Sequence, residues 1–102
     1  MADVTRHREA AVKRILEGKG TASPEQRRAA FANDGVAEPA RALIDKVVKH
    51  AYKVTDEDVT AAKQQLSEDQ IFELVVCAAV GQATRQLEAA LAALDEATRE
   101  PA

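Results

Sequence analysis

Residues 67–98 decide the fold, and they read SEDQIFELVVCAAVGQATRQLEAALAALDEAT. Ser67 and Gln70 have the spacing of a capping box, in which each side chain hydrogen-bonds to the backbone amide of the other residue. The run from Ile71 to Val80 contains Glu73 as its only charged residue. Since a helix that is apolar on all sides is typically a buried helix, we predict that the first half of this helix lies in the middle of the core.

The second half of the same helix is predicted to be amphipathic. One face carries apolar side chains, which are Val76, Val80, Ala83, Leu87, Ala90, Leu91 and Leu94. Gln82, Arg85 and Gln86 continue a side that began apolar. At 1.5 Å per residue the whole helix would be roughly 45 Å long, which exceeds the width of a small domain. We therefore expect a homo-oligomer built through this C-terminal helix.

The remaining chain predicts four more helices and no strand, because apolar residues recur at three/four spacing and never alternate over a useful length. The signals are a start at Asp3 or Thr5 and an end after Glu17, a start at Ser23-Pro24 and a stop at Asn33-Asp34-Gly35, an apolar stripe from Ala40 to Tyr52, and a start at Thr55. Arg27 and Arg28 are interpreted as a solvated face, with an anion-binding site as the alternative. The fold class is therefore all-α, with about five helices in one domain over residues 1–102.

Composition narrows the functional classes. The 102 residues are 46% hydrophobic and 3% aromatic, with a net charge of -3 and one cysteine. No basic face with interleaved aromatic residues suggests nucleic-acid binding, and one cysteine excludes an intramolecular disulfide and a multi-cysteine metal site. No apolar run approaches the roughly 20 residues that span a bilayer, and the N-terminus lacks the apolar region of a signal peptide. We expect a cytoplasmic protein with no cofactor, no metal and no membrane or nucleic-acid partner.

Two segments resemble a known family. Tyr52–Val59 (YKVTDEDV) and Ser67–Leu74 (SEDQIFEL), with a capped short helix before a capped long one, are similar to the carboxymuconolactone decarboxylase family, also called alkylhydroperoxidase D-like. The resemblance covers about residues 43–94. It implies an all-α fold that assembles as dimers, trimers or hexamers through its long helices. In the peroxidase members of that family, a Glu precedes a Cys-x-x-Cys pair and a His on this helix.

The resemblance places the family's Glu at Glu73, but the other positions differ. The two cysteine positions fall on Arg85 and Glu88, and the histidine position falls on Ala92. A dithiol–disulfide cycle needs two thiols, and Cys77 is the only cysteine. Peroxidase activity by the family's mechanism is therefore excluded on chemical grounds.

Glu73 and His50 are the candidate catalytic residues. Burial on an apolar helix would raise the pKa of Glu73 and make it a proton acceptor near neutral pH. His50 lies beside the apolar stripe of the third helix and could face Glu73 as an acid–base partner. The alternatives are an ion pair or a solvent-facing gap for Glu73, and a surface position for His50.

Arg85 and Gln82 are the candidate ligand-binding residues. They could line a polar pocket for an acidic small molecule, with Arg85 holding its carboxylate. Alternatively, they form the polar part of a subunit interface, where arginine is enriched, and we prefer this interpretation. Cys77 lies one turn after Glu73, and we expect it to be a buried, unreactive thiol.

Two functional hypotheses follow. The first is a non-redox oligomeric helical protein with an accessory or interaction role, which the missing dithiol favours. The second is a small decarboxylase-like enzyme that acts on an acidic metabolite through Glu73, His50 and Arg85.

Overall fold

The computed structural model describes the backbone of residues 2–99 and the side chains of residues 6–99. This part of the chain contains five α-helices, one 3-10 turn and no strand. The helices are α1 (Ala2–Glu17), α2 (Pro24–Ala32), α3 (Ala40–His50), α4 (Asp56–Ala62) and α5 (Glu68–Thr98), and the 3-10 turn at Ala51–Lys53 follows α3. The predicted all-α class with a long C-terminal helix is confirmed.

Three helices begin where the sequence predicts, because their signals are local. Each has a complete capping box, and the pairs are Ser23 with Gln26, Thr55 with Asp58, and Ser67 with Gln70. The helix α2 ends at Asn33, whose φ of 50° is left-handed. Asparagine tolerates this conformation better than most residues, so the predicted stop is physically sound. The start predicted for α1 is wrong, because that helix already includes Ala2 and neither Asp3 nor Thr5 precedes it.

The core forms where α2 and α3 pack against the first half of α5. Its buried side chains are small or aliphatic, and they are Ala22, Ala30, Val36, Ala40, Leu43, Ile44, Ala62, Ile71, Leu74, Cys77 and Ala78. The helices α2 and α5 lie close together at Gly81, which is buried. A Cβ atom at this position would collide with the backbone carbonyl of Phe31. The short distance between these two helices therefore depends on the absence of a side chain at position 81.

Two aromatic residues differ from the sequence prediction. Phe72 belongs to the run predicted to be buried all round, yet it is 70% exposed. Tyr52 was predicted to extend the apolar stripe of α3, but the helix ends at His50 and Tyr52 is 81% exposed in the 3-10 turn. The first half of α5 therefore buries one side, which packs mainly against α2 and α3 and to a smaller extent against α1. Most residues of its opposite side, such as Phe72 and Ala79, are exposed.

The second half of α5 projects from the rest of the molecule. Every residue from Gln86 to Arg99 is exposed, and the longest dimension of the molecule is 57 Å, against 29 and 20 Å for the other two. This projecting part begins beside α1, since Glu88 lines a cavity together with Glu9 and Val12 of that helix. Its helical structure is consistent with a sequence rich in Ala, Leu and Glu, which are strong helix formers.

Replacing Gly81 with alanine tests the contact between α2 and α5. Helix propensity alone predicts that Gly81→Ala stabilises the fold by about 1 kcal/mol. The clash with the Phe31 backbone predicts the opposite sign, a loss of about 1 to 3 kcal/mol, because a backbone carbonyl cannot rotate away. Urea unfolding followed by circular dichroism at fixed protein concentration measures the difference. Ala89→Gly, in the exposed half of α5, provides the propensity term alone, and a stabilised Gly81→Ala protein would contradict the packing.

Candidate functional site

Glu73 is the most heavily hydrogen-bonded carboxylate in the described part of the chain, and its partners come from the loop between α1 and α2. The backbone amide of Thr21 donates to both carboxylate oxygens, at 2.9 and 3.0 Å. The Thr21 hydroxyl donates to Oε2 at 2.8 Å, and the amide of Ala22 donates to the same oxygen at 2.7 Å. Because these donors lie 51 and 52 residues before Glu73, the carboxylate fixes the loop that leads into α2 against α5.

Gly20 is what allows the loop to approach this closely. A Cβ atom at position 20 would collide with the Glu73 carboxylate. The segment Gly20-Thr21-Ala22 therefore wraps its backbone around an anion, in the manner of the amide-lined concavities that bind anions elsewhere. Here the anion is a side chain of the protein itself.

The pKa of Glu73 lies below its ordinary value of 4.5. Burial raises it, but the hydrogen bonds from Ala22 and Thr21 and the positive charge of Arg27 together outweigh burial. The sequence-based prediction of a raised pKa is therefore wrong, because the lone pairs that a proton would occupy already accept hydrogen bonds. Glu73 is ionised at neutral pH, and its donors give it a structural role.

Arg27 is a buried charge that the sequence analysis assigned to a solvated face, and that interpretation is wrong. Its side chain is 5% exposed. Nη1 donates to the carbonyl oxygens of Ile15 at 3.1 Å and Gly18 at 2.7 Å. These carbonyls lie at the C-terminal end of α1, where helical carbonyls lack partners and the helix dipole is negative. Arg28, its neighbour, is exposed and forms a 3.7 Å ion pair with Glu17.

Cys77 lines a small cavity of about 170 Å³ together with Glu73 and Arg27. The cavity is lined by Arg14, Ile15, Lys19, Arg27, Phe72, Glu73, Val76 and Cys77. Cys77 is 1% exposed, as the sequence predicts. Burial raises the pKa of its thiol, Arg27 lowers it and Glu73 raises it further, with a net increase. A protonated, buried thiol is a poor nucleophile, so this cysteine is a core residue.

His50 does not contact Glu73. It lies exposed at the C-terminal end of α3, and its ring packs edge-on against Tyr52 with 5.8 Å between the ring centroids. Glu73 directs its oxygens toward the loop before α2 instead. Within the described residues no hydrogen bond joins the two side chains, so the structure does not assemble the predicted acid–base pair.

Arg85 and Gln82 contact each other, as their spacing suggests, and Arg85 also hydrogen-bonds to the C-terminal end of α2. Arg85 Nη1 donates to the Phe31 carbonyl at 2.6 Å, and Nη2 donates to Gln82 Oε1 at 3.2 Å. Phe31 lies in the last turn of α2, so Arg85 satisfies one of the carbonyl groups that a helix end leaves free. The guanidinium group that was a candidate to hold a ligand carboxylate therefore already binds a backbone oxygen.

The polar groups of this region thus hold helix ends in place. Glu73 and Arg85, both on α5, bind the segment before α2 and its last turn, while Arg27 binds the end of α1. The structural roles of Arg27 and of the Gly20-Thr21-Ala22 segment were not predicted from the sequence. One signal was available for Arg27, because it lies three residues before Ala30 and four before Phe31 and therefore shares a helical face with two apolar residues.

A scan against protein-family models, a search of curated proteins and a search of solved structures found no match to this chain. Within the described residues, no group of three His, Cys, Asp or Glu side chains is placed to hold a metal ion. No helix in the same part of the chain is both long and apolar enough to cross a bilayer.

Replacing Glu73 tests the role assigned to its carboxylate. Glu73→Gln keeps the shape but directs an NH₂ group or a weaker acceptor toward the three donors, and we expect a loss of about 1 to 3 kcal/mol at neutral pH. Since the folded-state pKa is lowered, the wild-type contribution is present above the ordinary glutamate pKa and is lost as the pH falls through the folded-state value. Unfolding measured from pH 7 to pH 3 should show a flatter acid limb in the variant. The control is Glu57→Gln at an exposed position. If stability fell with pH in Glu73→Gln as steeply as in the wild type, the assignment would be contradicted.

Two adjacent arginines provide a matched pair for the second test. Arg27→Ala leaves the end of α1 without its buried donor, and we expect a loss of roughly 2 to 4 kcal/mol. Arg28→Ala removes only an exposed ion pair, and we expect a change below about 0.5 kcal/mol. Thermal unfolding of both variants measures the difference. Equal effects would mean that Arg27 does not hold α1 in place.

Proposed function

We propose that the chain is a non-redox, alkylhydroperoxidase D-like helical protein that self-associates through α5 and has an accessory or interaction role. The outward face of α5 carries this proposal. Eight residues form that face and are named the outward stripe: Phe72, Val76, Ala79, Ala83, Leu87, Ala90, Leu94 and Ala97. At 100° per residue they lie within a band of about 80° that points away from the core-facing side of the helix.

The distribution of apolar and charged residues around α5 is the opposite of that expected for a monomer, in which the exposed side of a helix is polar. The core-facing side includes Leu74, Ala78 and Gly81, all buried. Further along the helix, the same side carries charged residues, which are Arg85, Glu88, Asp95, Glu96 and Arg99. The opposite side, on which every stripe residue except the half-buried Val76 is exposed, carries no charged residue from Phe72 to Ala97. An apolar helix face of this kind typically packs against another surface.

Burial of the stripe provides a moderate driving force. Phe72 is 70% exposed, Leu94 60%, Leu87 43% and the flanking Leu91 42%. Complete burial of such a side chain stabilises by roughly 1.5 to 3 kcal/mol. Since these four side chains are each about half exposed, burying the rest of them would contribute about half of that for each, or roughly 4 kcal/mol per copy. A dimer would gain this twice, against an association cost of at least about 4 kcal/mol. Self-association is therefore expected to depend on protein concentration.

The enzymatic hypothesis receives no comparable support. Glu73 and Arg85 already bind the backbone of α2 and the loop before it, and His50 lies apart at the surface. Binding of an acidic small molecule and decarboxylase-like activity would require these contacts to open. The family resemblance and the cytoplasmic location stay predictions from the sequence.

A charge placed in the stripe tests self-association. Leu87→Asp should dissociate the oligomer and leave a monomer of 11.0 kDa, because an unpaired carboxylate is costly to bury. Ala89→Asp places the same charge on the same helix away from the stripe, and its mass should equal that of the wild type. Light scattering over a concentration series measures all three proteins. The proposal fails if the wild type is a monomer at the highest concentration or if both variants behave alike.

A further inference from the structure

The arrangement of side chains along the outward stripe also indicates how a second copy of the chain packs on it. We infer that two copies pair their α5 helices antiparallel, with Ala83 facing Ala83 of the other copy. This inference rests on the proposed self-association and specifies its geometry. It commits to a second copy of this chain as the occupant of the stripe.

The first argument is the position of the projecting part of α5. Residues 86–99 extend beyond the body and are all exposed. Phe72, at the other end of the stripe, is more exposed than Leu94. An antiparallel pair centred on Ala83 lays the projecting part of each copy along the first half of α5 in the other. Both uncovered regions of each chain are then covered by a single contact.

The second argument is the order of large and small side chains. In the antiparallel pairing, facing residue numbers add to 166, twice the number of the central Ala83. Leu87 then faces Ala79, Val76 faces Ala90, and Phe72 faces Leu94 of the other copy. The first two pairs set a larger side chain against alanine, which is how packed helix faces interdigitate. A parallel pair in register would instead place Leu87 against Leu87 and Ala79 against Ala79, so that the contact alternates between crowding and gaps.

Charge gives the third argument. Asp69 lies one turn before Phe72 on the line of the stripe and is exposed. A parallel pair would bring the two Asp69 carboxylates together, together with the acidic first turns that contain Glu68. The antiparallel pair places Asp69 opposite Ala97, the second-last residue of the other helix. It also sets the two helix dipoles in opposite directions, which is the favourable arrangement.

Helix geometry permits contact along the whole stripe. Its residues follow one another at steps of four, three, four, four, three, four and three, an average close to the 3.6 residues of a straight helix. The stripe is roughly 38 Å long, and Ala79, Ala83 and Ala90 allow the two backbones to lie close together. Phe72 and Val76 also line the cavity above Cys77. The other copy's Leu94 and Ala90 therefore lie across the mouth of that cavity.

Cysteine cross-linking distinguishes the two orientations. Three single-cysteine proteins are made in a Cys77→Ala background: Phe72→Cys, Leu94→Cys and Ala83→Cys. Each is treated with a short bismaleimide, alone and in mixtures of two differently tagged proteins. The antiparallel pair predicts that Ala83→Cys cross-links to itself. Phe72→Cys and Leu94→Cys should each give little product alone and a heterodimer when mixed.

A second set of variants covers the case in which loss of Phe72 or Leu94 weakens the pair. Val76→Cys and Ala90→Cys change the stripe less, and they should behave in the same way, with product only in the mixture. Self-cross-linking of Phe72→Cys or Leu94→Cys to the same extent as Ala83→Cys would show a parallel pair and overturn the inference. So would the absence of product from both mixtures.

The mass of the untreated wild-type protein separates this inference from the proposed function. If the wild type is a dimer and the mixtures give no heterodimer, self-association stands and the antiparallel geometry is wrong. If the wild type is a monomer throughout the concentration series, the proposed function fails, and the geometry fails with it.

Discussion

The carboxylate of Glu73 is the constraint on which the arrangement of α1, α2 and α5 depends. It collects two backbone amides and one hydroxyl from the loop that joins the first two helices. Arg27, which is four residues after the Ser23 cap, binds the last carbonyls of α1 from the other side of that loop. A loop with exposed backbone at Gly20 and Thr21 is thereby held by one anion and one cation. The Glu73 carboxylate has four hydrogen bonds, and Nη1 of Arg27 has two, which offset much of the cost of burying these charges. Nε of Arg27 is buried without a hydrogen-bond partner, so part of the cost of burying the cation remains.

Local signals explain why the helices could be predicted from the sequence and the site could not. A capping box depends on residues three apart, so Ser23, Thr55 and Ser67 mark their helices without reference to the fold. The contacts of Glu73 and Arg85 span 51 to 54 residues, and periodicity carries no information about pairs at that separation. Glu73 was identified as unusual because it interrupts an apolar run. Its chemistry was misjudged because burial alone raises the pKa of a carboxyl group, whereas amide donors lower it.

The burial of α5 shows a related limit. The sequence of its first half is apolar on every side, and apolar residues on all sides predict burial on all sides. A 102-residue chain of short helices has too few elements to surround it, so α2 and α3 cover one side and Phe72 is left at the surface. Periodicity established that Leu87 and Leu94 share a face. Only the position of Gly81 against Phe31 shows that this face is turned away from the core.

The two sides of α5 are therefore separate in their physical roles. The inward side is fixed by the backbone contact at Gly81 and the polar contacts of Glu73 and Arg85, so a change there acts on folding. The outward stripe is mostly exposed, with Val76 as its half-buried member, so a change at its exposed residues leaves the inward contacts in place and, in the proposed dimer, acts on association. Distant sites with no shared partners contribute additively to stability, and Leu87 and Leu94 lie beyond the last residue of α5 that the core buries. Substitutions in the stripe can thus alter any activity that depends on assembly without unfolding the chain.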